Sequence, residues 1–337
     1  MLFVPRPTYG FTHSAYVLLA VAIAVSMGTA APTDAAVFGS DDRAELTSDP
    51  QNLKRKIGTL SSSKTGAFCT AFCVAPDVIA TASHCLYGTA ESAQSSLRGL
   101  TFKTADQKSQ AGTRLAASSS SAPIVMAGTT RLAVTPPIGA VNDWAIVRLE
   151  APVCGANVLS FSAMPRSQID AAAARGNIYQ IAAHADLPDM NLRRGGPCAV
   201  QWSFPSVDTE TIARDFAAPQ AILFHTCDTG GGSSGSPMLI DTLRGPEVVG
   251  INVGTYILSR AVTTAGTNDA QSKSVPIANT AISVAPAALA LARLSGAAAP
   301  LTLPKFYIET VRTLKRGPTR RAVSRQEWPS ASLSRQR

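Results

Sequence analysis

The run Cys227-Asp228-Thr229-Gly230-Gly231-Gly232-Ser233-Ser234-Gly235-Ser236-Pro237 constrains this chain more than any other stretch. Three consecutive glycines do not belong inside a helix or strand, where each loses backbone entropy and packs nothing. They suit a tight loop whose N–H groups turn inward, with a serine at its apex holding its hydroxyl clear of the backbone. The apolar run Met238-Leu239-Ile240 then reads as a strand leaving that loop. The plain alternative is a Gly/Ser turn in a β-hairpin, with no chemistry attached.

Two further stretches bear on the choice. Ala80-Thr81-Ala82-Ser83-His84-Cys85 sets a histidine after the apolar Val78-Ile79-Ala80, and Asn142-Asp143-Trp144-Ala145-Ile146-Val147-Arg148-Leu149 sets an aspartate at the head of a strand-like segment. A serine hydroxyl becomes an effective nucleophile only when an imidazole takes its proton, and the imidazole needs a carboxylate to fix its tautomer. All three groups are present, in the order His, Asp, Ser.

Thr81-Ala82-Ser83-His84-Cys85, Asp143-Trp144-Ala145-Ile146 and Gly232-Ser233-Ser234-Gly235-Ser236-Pro237 resemble the blocks of the chymotrypsin-like serine peptidases. Other Ser/His/Asp folds carry their residues in a different order. With Val37-Phe38-Gly39-Ser40-Asp41-Asp42-Arg43 upstream, the chain resembles, within that clan, the bacterial secreted branch that includes the glutamyl endopeptidases. The resemblance runs from residue 37 to 295 and is concentrated in the three blocks. It implies an all-β fold of two six-stranded antiparallel barrels with a C-terminal helix, and serine endopeptidase activity on polypeptides by a monomer, without cofactor or metal. A catalytically inactive homologue serving as a binding scaffold is the second reading, and a basic-tailed surface adhesin the third. A lipase or esterase is disfavoured by the residue order and by the lack of a Gly-x-Ser-x-Gly elbow.

The roles carried over are His84 as base, Asp143 as its orienting acid and Ser234 as nucleophile, with the N–H groups of Gly232 and Ser234 as the oxyanion hole. One such donor contributes about 3 kcal/mol to transition-state binding. Ser233 and Ser236 are rivals for the nucleophile, but only Ser234 precedes Gly235 and follows Gly232 at two positions. His184 and His225 sit near Asp186 and Asp228 in sequence and read as structural.

The departures from the family pattern matter. Ser233 stands where trypsin-like zymogens carry the Asp that receives a new N-terminal ammonium, so that activation is not expected. Processing at Ala36 would instead place the Val37 amine near the substrate site, as in the glutamyl branch. Asp228, Thr229 and Asn252 match pocket-lining positions. Asp228 has the spacing of an acid selecting Arg or Lys, although relatives that prefer acidic residues also carry Asp there, while Asn252 replaces the histidine of the glutamyl branch, so no strict Glu preference is expected.

The six cysteines show no zinc-ligand spacing, and an even number behind a leader suggests disulfides. By resemblance Cys69 pairs with Cys85, bridging the histidine loop to the preceding strand, and Cys198 is expected to pair with Cys227. Cys73 and Cys154 then pair or stay free. The plain alternative for each cysteine is a small buried hydrophobe.

Net charge is +8, which would suit a nucleic-acid binder if it were spread over a folded face. However, residues 305–337 hold nine Lys or Arg against Glu309 and Glu327, leaving about +1 for the rest. No nucleic-acid partner is therefore expected for the folded body, although the tail has the charge to contact an anionic surface. Residues 1–36, with Arg6, the apolar run Ala15 to Val25 and small residues after it, read as a signal peptide. Export to a secreted or periplasmic location follows, and an uncleaved anchor is the alternative. The expected organisation is leader 1–36, peptidase domain 37–300 and disordered basic tail 301–337. Within the domain, barrel one spans about 37–165, barrel two about 175–280 and the closing helix 283–295. A Pro/Arg/Ala segment, 165–175, joins the halves, and residues 89–123 read as a surface excursion.

Overall fold

The computed structural model describes residues 36–64, 66–89, 97, 99–107, 111–117, 124–187, 189, 191–263 and 270–296. The expected leader, apart from Ala36, and the basic tail 301–337 lie outside them.

Short apolar runs interrupted by Gly, Pro and Asp produce two antiparallel sheets, the expected chymotrypsin-like double-barrel class. The first has seven strands in the order Thr113–Arg114, Thr101–Thr104, Ile57–Ser61, Phe68–Ala75, Val78–Thr81, Ala145–Arg148, Val125–Ala127. The second has nine, ordered Ala44–Glu45, Leu192–Gly195, Ile178–Ala183, Pro237–Thr242, Gly245–Thr263, Ala270–Ser283, Ile222–His225, Val200–Gln201, with Ser160–Phe161 added in parallel to Gly245–Thr263. The counts exceed six per sheet largely because two-residue strands extend the edges.

Both strands of the Phe68–Ala75 and Val78–Thr81 hairpin are almost fully buried, as are Ile178–Ala183 and Ile222–His225. Phe72, Leu60, Ile79, Phe102 and Ile146 fill the first sheet, and Tyr179, Phe224, Leu239, Ile251 and Ile282 the second. Burial of one such side chain is worth about 1.5–3 kcal/mol. Phe224 also meets Phe204, Phe216 and Trp202 edge-on.

Three local expectations change. The stretch 89–123 contributes Thr101–Thr104 and Thr113–Arg114 to the first sheet, with Phe102 buried. The joining segment forms a helix, Arg166–Ala174, whose Asp170 accepts from Trp202 Nε1 at 2.7 Å. The closing helix spans Ala285–Leu294 with Val284 rather than Ser283 at its cap. Its last carbonyl, Leu294 O, accepts from Arg148 Nη2 at 3.3 Å, which ties this helix to the first sheet. A long hairpin extends the second sheet, where Gly245–Thr263 pairs with Ala270–Ser283 as far as Thr263 and Ala270.

All six cysteines are bridged. Cys69–Cys85 and Cys198–Cys227 pair as anticipated, and Cys73 joins Cys154.

Candidate active site

Register brings two of the three chemical groups together. Val78–Thr81 pairs with Ala145–Arg148 so that Thr81 faces Ala145. His84, three residues past Thr81, and Asp143, two before Ala145, therefore emerge at the same end of neighbouring strands. The turn Ala140–Asn142 delivers Asp143, which is 1% exposed. Its Oδ2 lies 2.6 Å from His84 Nδ1. Its Oδ1 accepts from Ser83 Oγ at 2.8 Å and from the His84 amide at 2.9 Å. Three hydrogen bonds satisfy the buried carboxylate, which would otherwise be costly to desolvate.

Burial alone would lower the His84 pKa, but the Asp143 charge and hydrogen bond outweigh it and hold the imidazole above its ordinary value. Nε2 meets no polar partner among the described residues except Cys85 Sγ at 3.9 Å, a sulfur already spent in a disulfide. Cys69, His84 and Cys85 converge as metal ligands do. With both sulfurs oxidised there is no thiolate to offer a metal.

Ser234 reaches the same end of the first sheet. Its carbonyl accepts from the Thr70 amide at 2.9 Å. Gly235, at φ +81°, lies so close that a Cβ there would collide with Thr81 Oγ1 and Thr70 O and approach Ala82 N at 2.9 Å. Only glycine permits that approach and that dihedral. The loop thus rests on the residues that lead into His84. The Ser234 hydroxyl forms no hydrogen bond with His84 among the described residues, and bonds of this kind commonly close only when substrate is bound.

The loop's amides are aimed by their carbonyl neighbours. A trans peptide points its C=O and N–H in opposite directions. Gly231 O accepts from the Ala185 amide at 2.5 Å, which turns the Gly232 N–H to the other side. Ser233 O accepts from the Ser236 amide and from Asn252 Nδ2, each at 3.1 Å, which turns the Ser234 N–H likewise. Neither the Gly232 nor the Ser234 N–H donates to another group among the described residues. Thr70 Oγ1 donates to Gly232 O at 2.8 Å, and Gln180 Nε2 donates to Ser236 Oγ at 2.5 Å.

Each of the three candidate pocket residues has hydrogen-bond partners of its own. Asp228, 2% exposed, accepts from the Phe38 amide at 2.8 Å and from the Asp42 amide at 2.9 Å, one on each oxygen. Thr229 Oγ1 donates to Asn279 Oδ1 at 3.0 Å, and its amide donates to Ala36 O at 3.2 Å. Asn252 lies behind the Gly/Ser loop, where its Oδ1 meets His225 Nε2 at 3.1 Å. His225 therefore pairs with Asn252 and not with Asp228.

His225 is fully buried, which lowers its pKa to about 4, and its Nδ1 has no partner among the described residues. Since Asn252 uses Nδ2 for Ser233, its Oδ1 accepts and His225 carries its proton on Nε2. His184 is also lowered to about 4, by burial and then by the neighbouring Arg43. Sequence reasoning missed the supporting residues Ser83, Thr70, Arg43 and Asp186. Only Ser83 lies within one of the three blocks.

The trypsin-like peptidase domain family matches residues 69–251. None of the curated proteins matches the chain. Among solved structures, a Glu endopeptidase in complex with MPD is 18% identical and aligns over 72% of this chain and 93% of its own, with TM-score 0.39. A thermostable serine protease from an extremophilic microorganism is 19% identical over 69% and 93%, with TM-score 0.40. The inactive form of a serine-to-alanine mutant from M. tuberculosis is 15% identical over 80% and 99%, with TM-score 0.42.

Proposed function

From the premise that this chain belongs to the trypsin-like peptidase family, we propose that it is a serine endopeptidase working through His84, Asp143 and Ser234. Ser234 Oγ adds to the carbonyl carbon of a peptide bond while His84 Nε2 takes its proton. The resulting oxyanion is met by the N–H groups of Gly232 and Ser234. His84 then gives the proton to the departing amine, leaving an ester on Ser234, and the same base activates the water that cleaves it. Asp143 stabilises the imidazolium formed in each half and keeps the proton of neutral His84 on Nδ1. The observation that carries this reading is the 2.6 Å bond from a buried carboxylate with three hydrogen bonds to Nδ1 of an imidazole whose Nε2 has, among the described residues, no polar neighbour but the disulfide sulfur of Cys85.

Three disulfides suit an oxidising compartment, which supports a secreted or periplasmic location. No helix among the described residues is long and apolar enough to cross a membrane. Ala36 belongs to the folded body, since it is buried and its carbonyl accepts from the Thr229 amide and Asn279 Nδ2, both at 3.2 Å. A mature chain starting at Val37 would give up both bonds.

In the selectivity pocket, Asp228 serves the 38–42 segment, and Asn252 brings no cation to a substrate carboxylate. Neither a strict basic nor a strict Glu preference follows from them. A fluorophosphonate probe tests the reading. It should label the wild type on Ser234, as mapped by peptide mass, and leave Ser234→Ala unlabelled. Equal labelling of both, or a label on another serine, would refute it.

A further inference from the structure

Arg43 has no part in the chemistry described so far, yet its side chain is only 5% exposed. Nε and Nη2 donate to the two oxygens of Asp41 at 2.9 and 2.7 Å, which leaves Nη1 to face the second sheet. There Nη1 donates to Asp186 Oδ2 at 2.7 Å and to His184 Nδ1 at 3.1 Å. These two acceptors flank Ala185, whose amide holds the Gly231 carbonyl at 2.5 Å. That carbonyl in turn sets the direction of the Gly232 N–H. Contact with the loop is also direct. A Cβ on Gly230 would lie 2.6 Å from Arg43 Nη1 and would collide with Asp186 Oδ1.

We infer that Arg43 is a positioning residue for the oxyanion donor of Gly232, acting through the Ala185 amide that it brackets. This rests on the peptidase reading above. A peptide unit can rotate at little cost when nothing holds its carbonyl, and glycine on both sides of the Gly231–Gly232 bond resists rotation least. The loop therefore carries no intrinsic preference for the productive orientation, and the fixed charge cluster supplies one. The same segment anchors Asp228 through the Phe38 and Asp42 amides, so residues 36–43 grip the nucleophile loop at two points.

The full chain carrying Arg43→Ala should keep KM near the wild-type value and lose about 100-fold or more in kcat, the loss typical of removing one oxyanion donor. Methylguanidine at millimolar concentration should restore part of it. Adding Gly230→Ala, which presses on the same contact from the loop side, should cost little more, because residues acting in one chain are not additive. Amide hydrogen exchange at Ala185 should quicken at least tenfold, and it reads the mechanism even if the wild type proves unreactive towards fluorophosphonate. Wild-type kcat in folded Arg43→Ala, unchanged Ala185 exchange, or a full further loss on adding Gly230→Ala would each overturn the inference. If Arg43→Ala does not fold, Arg43→Lys keeps the cation and stem but loses the fork to Asp41. It should then show the same fall in kcat at constant KM, and unchanged kcat would count equally against the role.

Discussion

Asn252 stands directly behind Ser233, donating from Nδ2 to its carbonyl at 3.1 Å while its Oδ1 accepts from buried His225. The side chain fixes the peptide whose other face is the Ser234 N–H. Asn252→Asp keeps the shape but sets a carboxylate oxygen against the Ser233 carbonyl. We expect kcat to fall about 10-fold to 100-fold with little change in KM, somewhat less than the loss of a whole oxyanion donor. Pre-steady-state kinetics should show a slower acylation burst. A wild-type burst rate would place Asn252 outside the machinery.

How much of this could be read in advance depended on the distance over which each residue acts. His84, Asp143 and Ser234 each sit in a short block with its own local signature, so the chemical groups were legible. The work of Asn252 and Arg43 rests on contacts 19 and 141 residues away along the chain, which no periodicity reports. The sequence offers Asn252 as a pocket residue and carries no sign of its bond to the Ser233 carbonyl. Thr101–Thr104 hid in a Ser/Ala-rich stretch because Phe102 is its one buried apolar side chain, next to a buried but polar Thr104, while Thr101 and Lys103 are half-buried. Helix Arg166–Ala174 buries just Ile169 and Ala172, too few for an apolar face to stand out.

The Asp143 bond to His84 fixes the pH behaviour. His84 must be neutral to act as a base, and its pKa in the fold lies above the ordinary value of about 6.5. The acid limb of kcat/KM should therefore have its midpoint above that value. Asp143→Asn should move the limb to lower pH and reduce kcat about 10^4-fold, the magnitude seen when the orienting acid of such a triad is neutralised. The same shift makes protonated His84 a stabilising group below about pH 6.5, with the contribution lost as pH rises through the folded value. A limb at or below the ordinary value would mean that Asp143 does not tune His84.

His225 and His184 work in the opposite sense. Each titrates near 4 in the fold and near 6.5 when unfolded, so the unfolded chain takes up these protons first as pH falls. Stability should drop between about pH 6.5 and 4 by roughly 3 kcal/mol per histidine as an upper figure, a window in which the His84 contribution is already complete. Thermal midpoints of Ser234→Ala across that range measure it, free of self-digestion. His225→Gln, which can still donate to Asn252, should flatten the curve. If the substitution leaves the slope intact, the loss has another source.

Two disulfides of the first sheet should separate stability from activity. Cys73–Cys154 closes 81 residues and Cys69–Cys85 closes 16. On loop entropy their removal costs about 4.5 and 3 kcal/mol respectively. Replacing Cys73 and Cys154 together by Ala should lower the unfolding midpoint more, yet leave kcat near wild type. Replacing Cys69 and Cys85 should cost less stability and more kcat, since Cys85 adjoins His84. Equal kinetic effects from the two pairs would show that the bridge beside His84 has no special bearing on it.

Asp228 offers the clearest separation of binding from scaffolding. A carboxylate that selects basic side chains must leave an oxygen facing the substrate, whereas both oxygens of Asp228 already accept backbone N–H groups from Phe38 and Asp42. Asp228→Asn turns one of these acceptors into a donor facing an N–H. That should cost about 2–4 kcal/mol, because charge-assisted bonds to a buried group are lost and an amide is left unpaired. The cleavage profile on a peptide library should keep its wild-type ranking at the residue preceding the cut, even as stability falls. A profile rich in Arg and Lys that disappears in Asp228→Asn would return Asp228 to the pocket. One dominated by Glu would require a cationic partner that Asn252 does not provide.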